Sequence, residues 1–144
     1  TNNYGIGQYV EKLIPKSCKY LKLGKKIPLH NAGTPIRNWL HAGDTAAAIM
    51  AIIESGTKNE IYNISGDYEQ ANIDTVQQII RLSLDTKNGM DYDDYIDLSF
   101  DRQGQDVRYA IDDSKLKTLG WKPARIFKDE LPKIVKYYGE NFVW

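Results

Sequence analysis

Two glycines near the start of the chain, Gly5 and Gly7, have the spacing of a dinucleotide-binding turn, in which the backbone approaches a pyrophosphate. Such a turn needs a strand before it and a third glycine at the position of Val10, and the sequence predicts neither. A tyrosine followed four residues later by a lysine would form a proton-transfer pair, because the lysine lowers the pKa of the phenol. None of the ten tyrosines has a lysine at that spacing. The sequence therefore predicts neither a dinucleotide cradle nor a tyrosine base.

The remaining reactive side chains are isolated from one another. His30 and His41 stand far from any candidate nucleophile, so we expect structural or surface roles for them. No cysteines and histidines have the spacing of a metal site, and no serine, histidine and aspartate suggest a triad. The single cysteine, Cys18, excludes an internal disulfide and fits a reducing compartment. Because no signal peptide is visible, we expect a cytoplasmic protein.

The charge balance argues against two classes of partner. The 144 residues carry 19 basic and 19 acidic side chains, so the formal net charge is zero. A dedicated nucleic-acid or membrane-surface binder would carry an excess of positive charge, and we expect neither partner. No apolar run approaches the roughly 20 residues of a membrane-spanning helix. A chain of this length can bury a core of its own, which favours a single domain over 1–144.

Apolar periodicity and capping residues predict five helices. Asp44 is the expected N-cap of the second helix, which should be well buried because most of its surface is apolar. Gly24 is the expected C-cap of the first helix, Pro15 should lie in its first turn, and Pro132 in or near the first turn of the last. The predicted helices cover 12–23, 44–55, 74–84, 112–120 and 127–142. The residues expected on inward faces include Ile14, Cys18, Leu21, Val76, Ile79, Ile80, Leu84, Phe127, Leu131, Ile134, Val135 and Tyr138.

Short strands complete the predicted fold. They cover 27–30, 35–40, 60–65 and 95–100, and a polar loop follows the third of them. We expect Trp39 and Trp121 in the core, and an exposed loop over 85–94. A complete dinucleotide-binding domain needs about six strand–helix alternations, more than this chain contains. The sequence therefore predicts a mixed α/β fold of short-stranded sheet pieces with several helices, closer to a substrate domain than to a doubly wound sheet.

Four segments, in order along the chain, carry a resemblance to one enzyme family. They are NNYG…Q…EKLIP (2–15), PIRNWLHAGDTAAAI (35–49), EIYNISGDYEQANID (60–74), and DRQGQDVRYAID with SKLKTLGWKP (101–123). Together they cover nearly the whole chain and resemble the C-terminal substrate domain of the extended short-chain dehydrogenases/reductases. The fourth is similar to the pattern DRPGHDRRYAID of the dTDP-glucose 4,6-dehydratase branch. Gln103 and Gln105 depart from that pattern, replacing Pro and His.

The resemblance implies an activity for a whole enzyme. That enzyme would oxidise C4 of a dTDP-hexose with bound NAD, eliminate water across C5–C6 and return the hydride to C6. The resemblance also implies that NAD and the proton-transfer groups belong to an N-terminal Rossmann half, which we expect to lie upstream of Thr1. This chain would then supply the nucleotide-sugar pocket, bind no NAD alone and be inactive by itself.

The resemblance further implies which residues form the pocket. Arg37 and Arg102 are the best candidates for the diphosphate, with Arg108 as a third, because a guanidinium contacts phosphate oxygens in bidentate fashion. Asn72 would contact the nucleotide, and Asn3 would lie near the nicotinamide side or the sugar–phosphate junction, which makes it the one cofactor-binding candidate. The complete set of implied substrate-binding residues is Asn3, Glu11, Lys12, Leu13, Arg37, Asn72, Arg102 and Gln105.

Several alternatives remain open at this stage. Arg37 could be a solvated strand residue, Asn72 a helix cap and Asn3 a turn residue. The chain could belong to a UDP-sugar epimerase or decarboxylase, although the fourth segment matches the dehydratase pattern more closely. It could also be a non-catalytic binding or assembly module that needs a partner. The partners to consider are a dTDP-hexose, the upstream Rossmann half and a second copy in a homodimer.

Overall fold

Two small sheets, five α-helices and a short 3₁₀ helix (Asn31–Gly33) make up the part of the chain that the computed structural model describes, residues 1–86 and 90–141. The first sheet has the order β1 (Asn2–Tyr4), β3 (Ile36–His41), β4 (Tyr68–Ala71), with β1 parallel and β4 antiparallel to β3. The second pairs β2 (Ile27–His30) with β5 (Ile96–Phe100) in parallel. The helices are α1 (Leu13–Lys22), α2 (Ala42–Ser55), α3 (Asn72–Leu84), α4 (Ser114–Lys117) and α5 (Phe127–Glu140). This confirms the expected mixed α/β fold of short strands.

Three amphipathic helices, α1, α3 and α5, pack together beside the first sheet. Their apolar positions meet as the 3.6-residue period predicts, and Ile14, Ile79 and Leu131 are buried at the centre. The C-cap of α1 is Leu23, and Gly24, predicted as the C-cap, is the next residue. Its φ of +62° and the bond from its N–H to the carbonyl of Leu21 end the helix there, as predicted. Pro15 lies in the first turn of α1, as expected.

Two further apolar clusters complete the core. One joins the second sheet to α3 through Ile27, Val76 and Ile96. The other lies under α2 and α4, where Leu40 of β3 packs with Trp121. Trp39 and Trp121 are both buried, which confirms their expected core positions.

The segment 60–65, predicted as a strand, forms no strand among the described residues, and Ile61 is 85% exposed. The strand β4 lies instead in the expected polar loop. The Asn38 side chain fixes the chain between the two: it donates to the carbonyl of Gly66 (2.6 Å) and accepts from its N–H (2.8 Å). A Cβ on Gly66 would lie 2.0 Å from the carbonyl oxygen of Trp39, so only glycine fits. An apolar run forms a strand only where a neighbouring strand satisfies its backbone hydrogen bonds. Here β3 pairs with the residues after Gly66, which form β4, and not with segment 60–65.

The helix α2 corrects two expectations. It begins before Asp44, and its N-cap is His41, whose Nδ1 accepts from the N–H of Gly43 (3.0 Å). The capping role expected of Asp44 is therefore wrong, and His41 has the structural role expected of it. The expected burial of α2 is also wrong, because only one side packs on the core and Ile53 on the other side is 71% exposed.

Smaller differences concern the ends of elements. The strand β1 was not predicted, Leu84 is exposed rather than inward, and Pro132 is the sixth residue of α5 rather than part of its first turn. The loop predicted over 85–94 includes 87–89, and the last predicted helix includes 142; these residues lie outside the described part of the chain. Among the described helices, none is long and apolar enough to cross a membrane.

Candidate functional site

A cleft of about 850 Å³ lies between the loop that follows β1, the start of α1 and the segment after β5. Residues from β2, β3 and the start of α3 also line it. The structure brings all eight residues of the implied pocket to this one cleft: Asn3, Glu11, Lys12, Leu13, Arg37, Asn72, Arg102 and Gln105. Asn3 and Gln105, which are 102 positions apart in sequence, thus share one surface. The roles of the eight residues in binding remain predictions. Arg108, the third arginine candidate, is not part of the lining.

Arg37 is the buried charge of the cleft. It lies on β3 and is 7% exposed. Its Nη1 donates to two backbone carbonyls, those of Ile36 (2.8 Å) and Asp106 (3.1 Å). The ring of Tyr109 lies 4.4 Å from the guanidinium carbon. No carboxylate pairs with Arg37 anywhere in residues 1–86 and 90–141, so these neutral groups are its described partners. This burial excludes the alternative of a solvated strand arginine.

Arg102 also lines the cleft and is exposed. Its position depends on backbone contacts with Asn31, whose side chain accepts from the N–H of Arg102 (2.8 Å) and donates to its carbonyl (3.3 Å). Arg108, six residues later, points its guanidinium at Glu69, with Nε and Nη2 each 2.9 Å from Oε2. The three arginines of the sequence prediction therefore separate into two that face the cleft and one that is used in a surface ion pair.

Two glutamines present unsatisfied acceptors at the cleft. The Oε1 atoms of Gln8 and Gln105 are buried and have no hydrogen-bond partner among the described residues. The Nε2 of Gln8 donates to the carbonyl of Asn3 (2.6 Å), which fixes that side chain. Buried acceptors are normally satisfied, so these two atoms suit a ligand or water that donates hydrogen bonds.

The start of α1 contributes positive potential to the cleft. Lys12 is the N-cap residue of this helix, and the N-terminus of a helix carries a partial positive charge. Lys16 in the next turn lies 3.8 Å from Glu11 at the surface. The full lining contains four cationic side chains, Lys12, Lys16, Arg37 and Arg102, against the single carboxylate of Glu11. This excess of cations favours an anionic ligand.

The two asparagines differ in how free their amides are. Asn72 is the first residue of α3, and its backbone N–H donates to the carbonyl of Pro35 (3.1 Å). The N-cap of α3 is Ala71, so Asn72 is not the helix cap. Among the described residues the Asn72 side chain has no hydrogen-bond partner, which leaves its amide available to the cleft. Asn3 is already used: its Oδ1 accepts from Thr45 and its Nδ2 donates to the carbonyl of Thr1 (3.1 Å).

Residues that the sequence did not single out also line the cleft. Tyr109 follows Arg108 directly in the fourth segment, so that segment already contained the signal for it. Gln8 lies inside the first segment, and Lys16 one helical turn beyond Lys12. His30 at the end of β2 carried no local signal, because only the parallel pairing of β2 with β5 brings it to this edge.

A second polar cluster lies where β3 ends and α2 begins, around His41 and Asp44. The carboxylate of Asp44 is buried and accepts from Nη1 (2.9 Å) and from the backbone N–H (3.0 Å) of Arg125. Burial, and then the nearby charge of Arg125, lowers the pKa of His41. Burial also raises the pKa of Tyr4, with Glu130 as the next cause. Tyr4 is therefore held in its neutral form, which suits packing rather than proton transfer.

The described residues do not fit a bound dinucleotide. The segment of Gly5 and Gly7 does follow a strand, but α1 begins only at Leu13, and Val10 still occupies the third glycine position. Asn3, the cofactor candidate, has both ends of its amide engaged by the protein. No group of three or more histidine, cysteine, aspartate or glutamate side chains is placed to hold a metal ion within the described ranges.

Comparison with known families decides the relationship. The family model described as GDP-mannose 4,6 dehydratase matches residues 1–134. The chain belongs to that family. Similar proteins include the probable dTDP-glucose 4,6-dehydratase of Sinorhizobium fredii, 42% identical over 147 residues, and the dTDP-glucose 4,6-dehydratase of Escherichia coli, 39% identical over 150 residues. Each alignment covers 100% of this chain, which spans 42% and 41% of those two proteins.

Solved structures of family members have the same fold. The dTDP-glucose 4,6-dehydratase of Bacillus anthracis, in complex with NAD, matches with a TM-score of 0.85 at 39% identity, over 99% of this chain and 44% of that one. The Streptomyces venezuelae enzyme DesIV, with NAD and TYD bound, matches with a TM-score of 0.85 at 36% identity. The match covers 97% of this chain and 42% of that one. The UDP-glucose 4-epimerase of Thermotoga maritima matches with a TM-score of 0.81 over 99% of this chain and 45% of that one. At 20% identity this match shows only that the fold is shared. These similarities confirm the resemblance to dTDP-glucose 4,6-dehydratases.

Proposed function

We propose that this chain is the nucleotide-sugar-binding portion of an NAD-dependent dTDP-glucose 4,6-dehydratase. The observation that carries the proposal is Arg37, a buried cation at the cleft with no carboxylate partner among the described residues. Charge burial is costly unless an opposite charge compensates it. A diphosphate bound in the cleft would supply that charge and accept the fork of guanidinium N–H groups.

The rest of the cleft fits the same ligand. Its volume lies within the range of about 300–1,000 Å³ typical of small-molecule sites. Arg102 and Lys12 would complete the cationic surroundings of the two phosphates, and Asn72 offers a free amide to the nucleoside. Gln105, where the family pattern has His, adds no positive charge, but its amide offers the ligand both an acceptor and N–H donors.

The activity of the whole enzyme needs more than these residues. Since the described residues do not fit NAD, we assign NAD binding and proton transfer to another part of a longer protein. This chain alone would then be inactive and would not respond to NAD. The similar enzymes from Bacillus anthracis and Streptomyces venezuelae have NAD in their structures and are more than twice as long as the region matched here, which supports this division.

Two surfaces support docking of that other part. The outer side of α2 carries Ile49, Met50 and Ile53, all exposed. The extended segment 60–66 follows directly after the loop that ends α2, and its described backbone joins no sheet. A second α/β unit would cover apolar side chains and add strand partners at the same place. We therefore propose that the Rossmann half docks here.

Calorimetric titration with dTDP, then UDP, then NAD tests the proposal. We expect dTDP to bind in preference to UDP and NAD to give no response. Arg37→Ala and Arg102→Ala should each strongly weaken dTDP binding. The matched control is Arg108→Ala, which removes an arginine from the same segment as Arg102 but outside the cleft, and it should leave binding unchanged.

Other results would redirect the assignment. A preference for UDP would favour the UDP-sugar epimerase or decarboxylase alternative. If neither dTDP nor UDP binds, even with a Rossmann half from a similar enzyme added in trans, the proposed function is wrong and a non-catalytic assembly role is favoured. If Arg108→Ala weakens binding as much as Arg37→Ala, the ligand does not occupy this cleft.

A further inference from the structure

Asn31 extends a strand pairing by means of its side chain. The parallel strands β2 and β5 end at His30 and Phe100, so Asn31 and Arg102 lie just beyond the same edge of the sheet. The Asn31 amide accepts from the N–H of Arg102 and donates to its carbonyl, at 2.8 Å and 3.3 Å. A side-chain amide thus satisfies both backbone groups of one residue, as a neighbouring strand would.

The backbone around Asn31 is held in a rare conformation. Asn31, Ala32 and Gly33 have φ values of 52°, 51° and 70°, three successive residues in the left-handed region. A Cβ on Gly33 would lie 2.8 Å from the Cβ of Ile73, so this turn packs directly on the first residues of α3. Left-handed backbone at a non-glycine residue costs free energy and persists where the surroundings enforce it. The turn therefore packs on the start of α3, where Asn72 lies, and bonds to Arg102 through the Asn31 side chain.

We propose that Asn31 is a positioning residue that fixes Arg102, and with it the start of the segment 101–109, for ligand binding. This inference rests on the proposed function for the role of Arg102. Asn31 is not part of the cleft lining, so it would act through the backbone of Arg102 and not through the ligand. Within the described residues, the backbone hydrogen bonds of Arg102 are those with the Asn31 side chain. The later part of the segment has its own attachments, because the Val107 carbonyl accepts from the N–H of Ile36 and the Asp106 carbonyl accepts from Arg37.

The consequence for binding is entropic. A segment that is already ordered loses little conformational freedom when its arginine contacts a ligand. Without the Asn31 amide, the ligand itself would have to order the backbone around Arg102. Removal of two hydrogen bonds of ordinary net strength corresponds to a loss of about tenfold in affinity.

The first test needs no ligand. Asn31→Gly removes the amide and suits the left-handed backbone, so the turn is not strained by the change. Amide hydrogen exchange followed by NMR should show the Arg102 N–H exchanging at least about tenfold faster in Asn31→Gly than in the unsubstituted chain. The control is Asn63→Ala, which removes an asparagine bond to the Asp112 carbonyl outside the cleft and should leave Arg102 unaffected. Unchanged exchange at Arg102 in Asn31→Gly would overturn the proposal.

The second test is a double-mutant cycle with dTDP. Asn31→Gly should weaken binding about tenfold in the unsubstituted chain and hardly at all in an Arg102→Ala background. In an Arg37→Ala background, measured at higher dTDP concentration, the weakening by Asn31→Gly should persist. Equal weakening with and without Arg102 would mean that Asn31 has a general structural role, and would overturn the positioning role.

Asn31→Asp tests the donating half of the amide. Aspartate tolerates the left-handed backbone and can still accept from the Arg102 N–H, but its second oxygen opposes the Arg102 carbonyl and its charge repels an anionic ligand. The Arg102 N–H should exchange faster than in the unsubstituted chain, and dTDP affinity should fall at least as far as in Asn31→Gly; exchange and affinity equal to those of the unsubstituted chain would overturn the two-bond arrangement. If the unsubstituted chain binds no dTDP, the proposed function fails, while the exchange measurement still decides whether Asn31 orders Arg102.

Discussion

The guanidinium carbon of Arg37 lies 4.4 Å from the centroid of the Tyr109 ring, which separates a buried cation from solvent. Arg37 comes from β3 and Tyr109 from the segment that follows β5, so the contact joins two parts of the chain that are distant in sequence. The ring stabilises the positive charge without neutralising it, because its partial negative face is not a counter-ion. The site thus keeps a preformed cation ready for an anionic ligand.

Arg37→Met should separate binding from stability. Methionine fills the buried volume without a charge, so the free energy of unfolding of the ligand-free chain should change by less than about 1 kcal/mol. The affinity for dTDP should fall at least about tenfold, because charge-assisted bonds to phosphate are lost. Urea unfolding and calorimetry measure the two quantities. A large loss of stability with unchanged affinity would show that Arg37 serves the fold and not the ligand.

Tyr109 should contribute through its ring and not its hydroxyl. Tyr109→Phe keeps the ring and should leave dTDP affinity close to that of the unsubstituted chain. Tyr109→Leu removes the contact with Arg37 and should weaken binding about two- to fivefold, as expected for an interaction of roughly 0.5–1 kcal/mol. Calorimetric titration of both variants checks this. The idea would be refuted by an equal loss in the two variants.

The pair of Asp44 and Arg125 should matter for stability rather than binding. Arg125→Ala leaves the buried Asp44 carboxylate with one backbone N–H, and should lower the free energy of unfolding by about 2–3 kcal/mol. We expect less than the full cost of a buried charge without a partner. The Arg125 side chain is 43% exposed, so solvent already weakens its interaction with Asp44. Urea unfolding measures the loss. Lys133→Ala, which removes an exposed pair with Glu130, is the matched control and should change stability by less than about 1 kcal/mol.

His41 should make the fold less stable in mild acid. Burial, together with Arg125 and Lys133, lowers its pKa below the ordinary 6.5, against the opposite effects of Glu130 and Asp44. Above pH 6.5 both folded and unfolded states hold His41 neutral, and it contributes no pH dependence. As the pH falls through 6.5, the unfolded state takes up the proton first, so stability decreases.

The matching variant is His41→Asn. Asparagine can still cap α2 but does not titrate, so the decrease in unfolding free energy between pH 7 and pH 5 should be smaller than in the unsubstituted chain. Urea unfolding at several pH values measures it. An identical pH dependence in the two proteins would show that His41 is not the responsible group.

The exposed side of α2 should govern association. Ile53→Lys should change the free energy of unfolding by less than about 0.5 kcal/mol, since the residue is mostly solvent-exposed. It should weaken self-association of the chain and binding of a Rossmann half supplied in trans, both measured by sedimentation velocity. Ser55→Lys at the exposed end of the same helix is the control and should have no such effect. Undiminished association of Ile53→Lys would exclude this surface as the docking site.

Local signals in the sequence were enough for α1, α3 and α5. Their apolar residues recur with the helical period, and Gly24 provides a backbone conformation that few other residues adopt, so neighbours in sequence contain the information. The strand errors have a different origin. The sequence could not show whether segment 60–65 or β4 pairs with β3. That choice depends on the contact of Gly66 with Asn38 and Trp39.

The sequence by itself determined the family, because four segments kept their order and spacing, and the eight residues it implied for the pocket line one surface. Only the tertiary structure decided which charges remain available. Arg37 is buried without a carboxylate among the described residues, whereas Arg108 is paired with Glu69 and Asp44 with Arg125. Residue type fixes the charge a side chain can carry. Whether that charge is neutralised by the protein or left for a ligand depends on which distant segments the fold brings within a few ångströms of it.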